Sequence, residues 1–143
     1  MPLTQTDFIR PSELIETSSL LIKLHPENDS AELIIKDGVV YDHNLARETK
    51  ELLEKARPGV KYYLLVSSDG FFRVTKRARK LGASKNFSNH LAAVACHNLN
   101  SSLVLLGELY NKINKPAVPT KIFSTRESAE EWLREKKAEV AVA

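Results

Sequence analysis

Hydrophobic and polar positions along this chain follow two spacings, one typical of strands and the other of helices. Residues 19–24 and 31–35 have the strand spacing, and the six turn-compatible residues 25–30 between them predict an antiparallel hairpin. Residues 62–66 form a continuous apolar run. Such a run predicts a strand that is buried on both faces, inside a sheet rather than at its edge.

Apolar positions at helical spacing predict two helices before residue 82. The first follows Asp42 or Asn44 as its N-cap, carries its apolar residues on one face and stops at Pro58 and Gly59. The second runs from about Thr75 to residue 81. Gly82 lies just past its end, where a left-handed C-cap is favoured. The segment 67–70 is expected to break the preceding strand.

The segment from residue 91 to residue 133 predicts strand, helix, strand and helix in succession. Its apolar start, 91–96, is a strand, and a helix of about 98–114 follows and ends before Lys115 and Pro116. A second strand at 121–124 leads into the last helix. Ser124 and Glu127 have the spacing of a capping box at the start of that helix.

The order of the elements predicts the fold class. Strands that alternate with helices through short connections require right-handed crossovers between parallel strands. We therefore expect an α/β domain with a small, mixed, mostly parallel sheet, an antiparallel N-terminal hairpin and about four packed helices. Residues 1–18 are the predicted N-terminal arm, loose or with a short edge strand, 19–136 the domain, and 137–143 the C-terminal tail.

Composition is ordinary for a globular protein. The 143 residues are 43% hydrophobic and 27% charged, with a net charge of +3, too small to indicate a particular partner. The single cysteine excludes an internal disulfide and favours an intracellular, cytoplasmic location. No signal peptide and no membrane span are expected, because no segment approaches the roughly 20 apolar residues that a span needs.

Four segments carry a resemblance to a known superfamily: 75–80, 92–95, 114–116 and 119–123. With Ala129, Trp132 and Leu133, they resemble the STAS and SpoIIAA-like superfamily over about 19–134, closest to its uncharacterised bacterial STAS/Sec14-like branch. The resemblance implies the SpoIIAA-like β-α superhelix. It also implies a non-enzymatic regulatory domain, because superfamily members include anti-sigma-factor antagonists and cytoplasmic domains of anion transporters.

One departure from the superfamily concerns its phosphate-accepting serine. Phospho-switched members carry that serine in an Asp-Ser-Ser-Gly type motif, and this chain keeps only the Thr75 hydroxyl near the matching place. Thr75 is either an N-cap or a phospho-acceptor, since a helix N-terminus beside Lys76 and Arg77 stabilises added negative charge. The candidate phospho-acceptor or loop site comprises Thr75, Ser67, Ser68 and Asp69.

Basic residues in the same region predict a second site. Arg73, Lys76, Arg77 and Lys80 have the spacing of one helical face, and no acidic residue occurs between residues 73 and 85. This face either binds anions or an acidic protein partner, or is simply solvated. Aromatic residues do not alternate with these cations, so no nucleic acid partner is expected.

The predicted helix at 98–114 is apolar over more than one stripe, wider than one sheet face requires. Leu105, Leu109 and Tyr110 are the candidate interface or ligand-binding residues, with a homodimer contact, an apolar ligand and burial as open alternatives. At its start, residues 97–102 either bind an anion or cap the helix through Asn98 or Asn100.

The remaining reactive residues predict no catalytic set, metal or cofactor. Cys96 lies in a buried strand as a small hydrophobe, Trp132 is a core anchor, and the four histidines, His25, His43, His90 and His97, lack metal-ligand spacing. A hydrolase using Ser67 or Ser68 with a histidine is a third hypothesis. The leading hypothesis is a homodimeric, non-enzymatic protein-binding domain, and the alternative is a carrier or sensor of a lipid or other apolar small molecule.

Overall fold

A computed structural model describes residues 13–142 of the chain. Its strands are β1 (Glu13–Glu16), β2 (Leu20–His25), β3 (Ser30–Ile35), β4 (Val40–Tyr41), β5 (Tyr62–Ser68), β6 (Arg73–Val74), β7 (Leu91–Cys96) and β8 (Thr120–Ile122). Its helices are α1 (His43–Ala56), α2 (Lys76–Ala83), α3 (Ser101–Leu109) and α4 (Arg126–Val142). A 3₁₀ turn, Pro26–Asn28, joins β2 to β3, and a π-helical turn, Tyr110–Asn114, extends α3.

Six of the strands form one mixed sheet in the order β1-β2-β3-β5-β7-β8. The pairs β1/β2 and β2/β3 are antiparallel, whereas β3/β5, β5/β7 and β7/β8 are parallel. Strands β4 and β6 form a separate two-stranded parallel pair. The predicted α/β class, with an antiparallel start, a mostly parallel sheet and four helices, is confirmed.

The two ends of the described chain join the domain directly. β1 pairs along β2 as an edge strand, within the segment that we predicted as an arm; residues 1–12 of that arm lie outside the described residues. α4 continues through the segment that we predicted as a tail, and the Lys137 ammonium donates a hydrogen bond of 2.6 Å to the Asn28 carbonyl.

Each face of the sheet is covered by a different set of helices, because successive strand residues point to opposite faces. On one face Leu33, Leu64 and Val66 belong to the same core as Leu53 of α1 and Leu103 of α3. On the other, the core is formed by Tyr63, Leu65, Ala93 and Ala95 with Ala129 and Leu133 of α4. The sheet therefore separates a three-helix layer from a single helix.

Side-chain caps fix where the first three helices begin. The Asp42 carboxylate accepts a hydrogen bond of 2.8 Å from the backbone of Leu45, so Asp42 rather than Asn44 is the cap of α1. The Thr75 hydroxyl oxygen accepts one of 3.1 Å at the start of α2. Asn100 caps α3 with a 3.0 Å bond, whereas Asn98 adopts the left-handed backbone conformation, with φ of 54°.

Three local predictions were wrong. Gly82 lies inside α2, whose C-cap is Ser84 with extended backbone. The Ser124 capping box does not form, because α4 begins later and the Thr125 hydroxyl accepts the backbone hydrogen bond of Ser128 at 3.2 Å. Residues 67 and 68 do not break β5 but are its last two residues, since both pair with β3.

Candidate functional site

A cavity of about 250 Å³ lies between the sheet and the three-helix layer. Apolar side chains from every surrounding element line it, among them Leu33, Val66 and Val94 of the sheet, Leu53 of α1, Ala78 of α2 and Leu106 of α3. Protein interiors are close-packed and seldom leave voids larger than a water molecule. A cavity of this size, apolar in its lining and partly open to solvent, is therefore the most distinctive feature of the described domain.

Small residues on the helices leave this space open. Ala46 of α1 and Ala78 and Gly82 of α2 line the cavity with short side chains or none. At Gly107 of α3 the Ile122 side chain of β8 lies so close to the backbone that a Cβ atom would overlap its Cδ1. The helices can thus pack against the sheet at some points and leave a gap at others.

Most polar groups at the cavity are neutral. The Tyr41 hydroxyl donates a 3.0 Å hydrogen bond to the Thr49 hydroxyl, which in turn donates to the Leu45 carbonyl at 2.8 Å. Burial raises the pKa of Tyr41, of Tyr110 and of the Cys96 thiol to about 12 in each case. These groups stay protonated at neutral pH, so this part of the cavity favours an uncharged, apolar group.

One side of the cavity carries a polar rim, formed by Lys50, Ser88 and His90. The Lys50 ammonium donates hydrogen bonds to the Phe87 carbonyl at 2.5 Å and to the Asn89 side-chain oxygen at 3.1 Å. The Ser88 hydroxyl donates to the Ser84 carbonyl at 2.7 Å, which leaves its oxygen available as an acceptor.

His90 is the most deeply buried titratable group of the polar rim, with 7% of its surface exposed. Burial lowers the pKa of this histidine, and the Lys50 ammonium lowers it further. The backbone of Phe87 partly opposes this shift, yet no hydrogen bond of acceptable geometry reaches Nδ1 among the described residues. His90 is therefore neutral at pH 7 and has one ring nitrogen without a partner.

The predicted loop site is occupied by structural hydrogen bonds. The Ser68 hydroxyl donates to the Gly70 carbonyl at 2.6 Å. The Asp69 carboxylate accepts the Asp37 backbone hydrogen bond at 2.7 Å, while the Asp37 carboxylate accepts that of Phe71 at 2.8 Å. These bonds tie together the loops that follow β3 and β5. Ser67 is buried at the end of β5 and points to the α4 face with Leu65.

The predicted basic face is only partly on one helix. Arg73 lies in β6, before the helix begins, so the predicted four-residue helical face was wrong. Lys76, Arg77 and Lys80 lie on α2 and are exposed, as Arg73 is. None of the four forms an ion pair with another residue of the described range. Thr75, beside them, serves as the α2 cap.

The predicted apolar helix face is divided between the cavity and the surface. Tyr110 lines the cavity, whereas Leu105 and Leu109 are 59% and 43% exposed. Ile113, which the sequence analysis did not select, is 72% exposed. It follows Leu109 by four residues, as Leu109 follows Leu105. We call Leu105, Leu109 and Ile113 the apolar stripe.

The histidines do not complete a hydrolase triad. His90 precedes β7 and Ser67 ends β5, so the parallel pairing of these strands puts them at opposite ends of the sheet, on the order of 15–20 Å apart. His97 follows β7, and its backbone donates to the Val66 carbonyl at 2.9 Å. Its side chain forms no hydrogen bond with Ser67 or Ser68 in the described structure.

Residues 13–142 contain neither a candidate metal-binding cluster nor a candidate membrane-spanning helix. No cluster of three or more histidine, cysteine, aspartate or glutamate side chains there has the arrangement needed to hold a metal ion. None of the described helices combines the length and hydropathy that crossing a bilayer requires.

A charged network on the opposite face of the sheet was missed by the sequence analysis. The Arg126 guanidinium donates two 2.9 Å hydrogen bonds to the Glu32 carboxylate and one of 2.5 Å to Glu130. Both carboxylates are about 98% buried as side chains. Glu32 is a charged residue at a position of β3 that the alternating pattern turns toward the core. This was the feature of the sequence from which the network could have been predicted. The network anchors the start of α4 on the sheet.

Comparison with known proteins gives a family and a similar solved structure. Residues 27–137 match the model of a family described as a domain of unknown function, DUF7793. No curated protein matches the chain. It is similar to the crystal structure of an uncharacterized DUF3478-family protein with a SpoIIAA-like fold from Shewanella loihica PV-4, at 19% identity, over 85% of this chain and 90% of that one, with a TM-score of 0.47.

Proposed function

The chain belongs to the DUF7793 family, and we propose that it is a small-molecule-binding domain that holds an apolar ligand in its cavity. The single observation that carries this proposal is the void of about 250 Å³ between the sheet and α1, α2 and α3. Of the functions considered from the sequence, the carrier or sensor of an apolar molecule is the one that this geometry supports best.

The energetic cost of the empty cavity supports the proposal. Unfilled volume in a protein core loses the packing contacts that a filled core would have, at a cost that grows with the volume. Net stabilities of domains are only about 5–15 kcal/mol. An apolar cavity of about 250 Å³ that is partly open to solvent is therefore easier to understand if a ligand fills it.

The volume also sets the size of the ligand. An engineered core cavity of about 150 Å³ lined by apolar side chains stays dry and binds benzene, which has six carbon atoms. Scaling by volume, the present cavity takes about ten non-hydrogen atoms. The occupant is therefore the size of a substituted aromatic ring or a medium-length alkyl chain rather than a two-chain lipid.

Titration of the isotope-labelled protein with toluene tests this function by NMR. We expect amide shifts to be concentrated at cavity-lining residues such as Ala78, Val94 and Leu106. At a free toluene concentration of 100 times Kd, the unfolding free energy should rise by about 2.7 kcal/mol and Tm by about 5–10 °C. An unchanged spectrum up to the solubility of toluene, or shifts confined to the apolar stripe, would contradict the proposal.

The apolar stripe supports a second function, self-association or binding of a protein partner. Three large apolar side chains exposed in succession on one helix are unusual for a surface that contacts only water. Light scattering across a concentration series should show a dimer for the wild type and a monomer for Leu105→Gln with Leu109→Gln. Leu14→Gln, which changes an exposed leucine on β1, is the matched control. A monomeric wild type would contradict self-association.

A further inference from the structure

The cavity is not equally apolar in all directions. Its lining is mostly aliphatic or aromatic, whereas the polar rim contributes an ammonium, a hydroxyl and an imidazole. The other cation in the lining, Arg79 of α2, donates a hydrogen bond of 2.9 Å to the Val74 carbonyl. Binding pockets are typically apolar with a few polar groups that fix the orientation of the ligand. The arrangement suits an amphiphilic molecule better than a hydrocarbon.

The positive charge of Lys50 is not matched by a protein carboxylate. Its ammonium donates to the carbonyls of Asn86 and Phe87 and to the side-chain oxygen of Asn89, all neutral acceptors. Among the described residues no carboxylate lies within ion-pair distance of this ammonium. Glu54, one helical turn away on α1, acts on the same region only through space.

His90 adds an independent observation at the same rim. The residue is 93% buried, and its Nδ1 atom has no hydrogen-bond partner in the described structure. Buried polar atoms in folded proteins almost always have a partner, either from the protein, from ordered water or from a ligand. A polar group of the ligand at this position would supply the missing hydrogen bond.

We propose that the ligand is a small carboxylic acid whose apolar body fills the cavity and whose carboxylate lies at the polar rim, beside Lys50 and His90. This inference rests on the proposed function and narrows it to one chemical class. A straight-chain acid of eight carbons, octanoate, has ten non-hydrogen atoms, which matches the capacity of about ten estimated from the cavity volume.

Calorimetric titration with three probes of graded polarity tests the inference. Octanoate, 1-octanol and toluene are titrated into the wild type, Lys50→Met, His90→Leu and Lys55→Met. Lys55 is an exposed lysine on the same helix and does not line the cavity, so it is the matched control. Lys50→Met keeps most of the side-chain length and gives a result even if His90→Leu fails to fold.

We expect the wild type and Lys55→Met to bind octanoate at least tenfold more tightly than 1-octanol. Lys50→Met and His90→Leu should lose at least tenfold in octanoate affinity, because the first removes the positive charge beside the carboxylate and the second removes a hydrogen-bond donor to it. Toluene affinity should change less than threefold. If toluene binds but octanoate and 1-octanol bind equally, or neither variant affects octanoate, a carboxylate site is overturned and ordered water is the partner of His90. If none of the probes binds, the proposed function fails as well.

Discussion

Replacing Ala78 by leucine tests whether the cavity is a true void in the packing of the domain. Ala78 is 4% exposed and lines the cavity from α2, so the three added carbon atoms should enter empty space. At about 0.8 kcal/mol per buried methylene group, and after about 0.5–1 kcal/mol of lost side-chain entropy, the net gain is about 1.5 kcal/mol. Urea denaturation should show this increase, and Tm should rise by about 5 °C.

The same change should reduce the space available to a ligand. Combined with Ala46→Leu, from the facing helix α1, it adds six carbon atoms to a cavity with room for about ten non-hydrogen atoms. Room for about four remains, which is too little for the seven carbon atoms of toluene. The double variant should therefore be more stable than the wild type and yet fail to bind toluene in the NMR titration.

Ala93→Leu is the matched control. Ala93 is 1% exposed, and its side chain packs on the other face of the sheet, within the core formed with Ala129 and Leu133. Extra carbon atoms there overpack a filled core, and we expect a loss of about 1–3 kcal/mol. A comparable loss for Ala78→Leu would refute the reasoning, because it would show that the space beside α2 is not available.

Three further predictions concern stability. Arg126→Met should lower the free energy of unfolding in urea by about 3–5 kcal/mol, because Glu32 is left buried without its partner. Arg134→Met should lower it by less than about 1 kcal/mol, because the nearest carboxylate contact of Arg134 is 3.9 Å. Equal losses for the two variants would contradict the network. Asp42→Ala should cost about 1 kcal/mol through loss of the α1 cap, and an unchanged Tm would contradict it. Because burial lowers the pKa of His90 below its unfolded value of 6.5, the unfolded state binds more protons, so stability should fall from pH 7.5 to pH 5.5. Burial also lowers the pKa of His97, so His90→Gln should reduce this dependence without abolishing it, and an unchanged slope would contradict the prediction.

The regular elements were predictable because their signals are local. The alternation in 19–24, the continuous apolar run in 62–66 and the helical spacing after Asp42 are each a property of neighbouring residues. The errors fell at boundaries, where competing residues of similar type are adjacent. Ser124 and Thr125 are equally good caps by sequence, and only the start of α4 decides between them.

The candidate site was much less predictable, because a cavity depends on how helices far apart in the sequence pack. Ala78, Gly107 and Val94 read as ordinary core residues, and nothing in their local pattern indicates that the space between them is unfilled. Lys50 and His90 are 40 positions apart in the sequence and meet only because α1 packs beside the loop before β7. The one feature of the sequence that pointed to the cavity was the wide apolar surface of α3. One side of this helix lines the cavity and the other side is exposed.

A crystal structure of the protein under xenon pressure would test the central claim most directly, since xenon binds in dry apolar cavities. We predict xenon density inside the cavity, between Val94 of the sheet, Ala78 of α2 and Leu106 of α3, with little movement of the helices. A structure in which α3 has closed onto the sheet and no xenon binds between these residues would contradict the existence of a ligand-binding cavity.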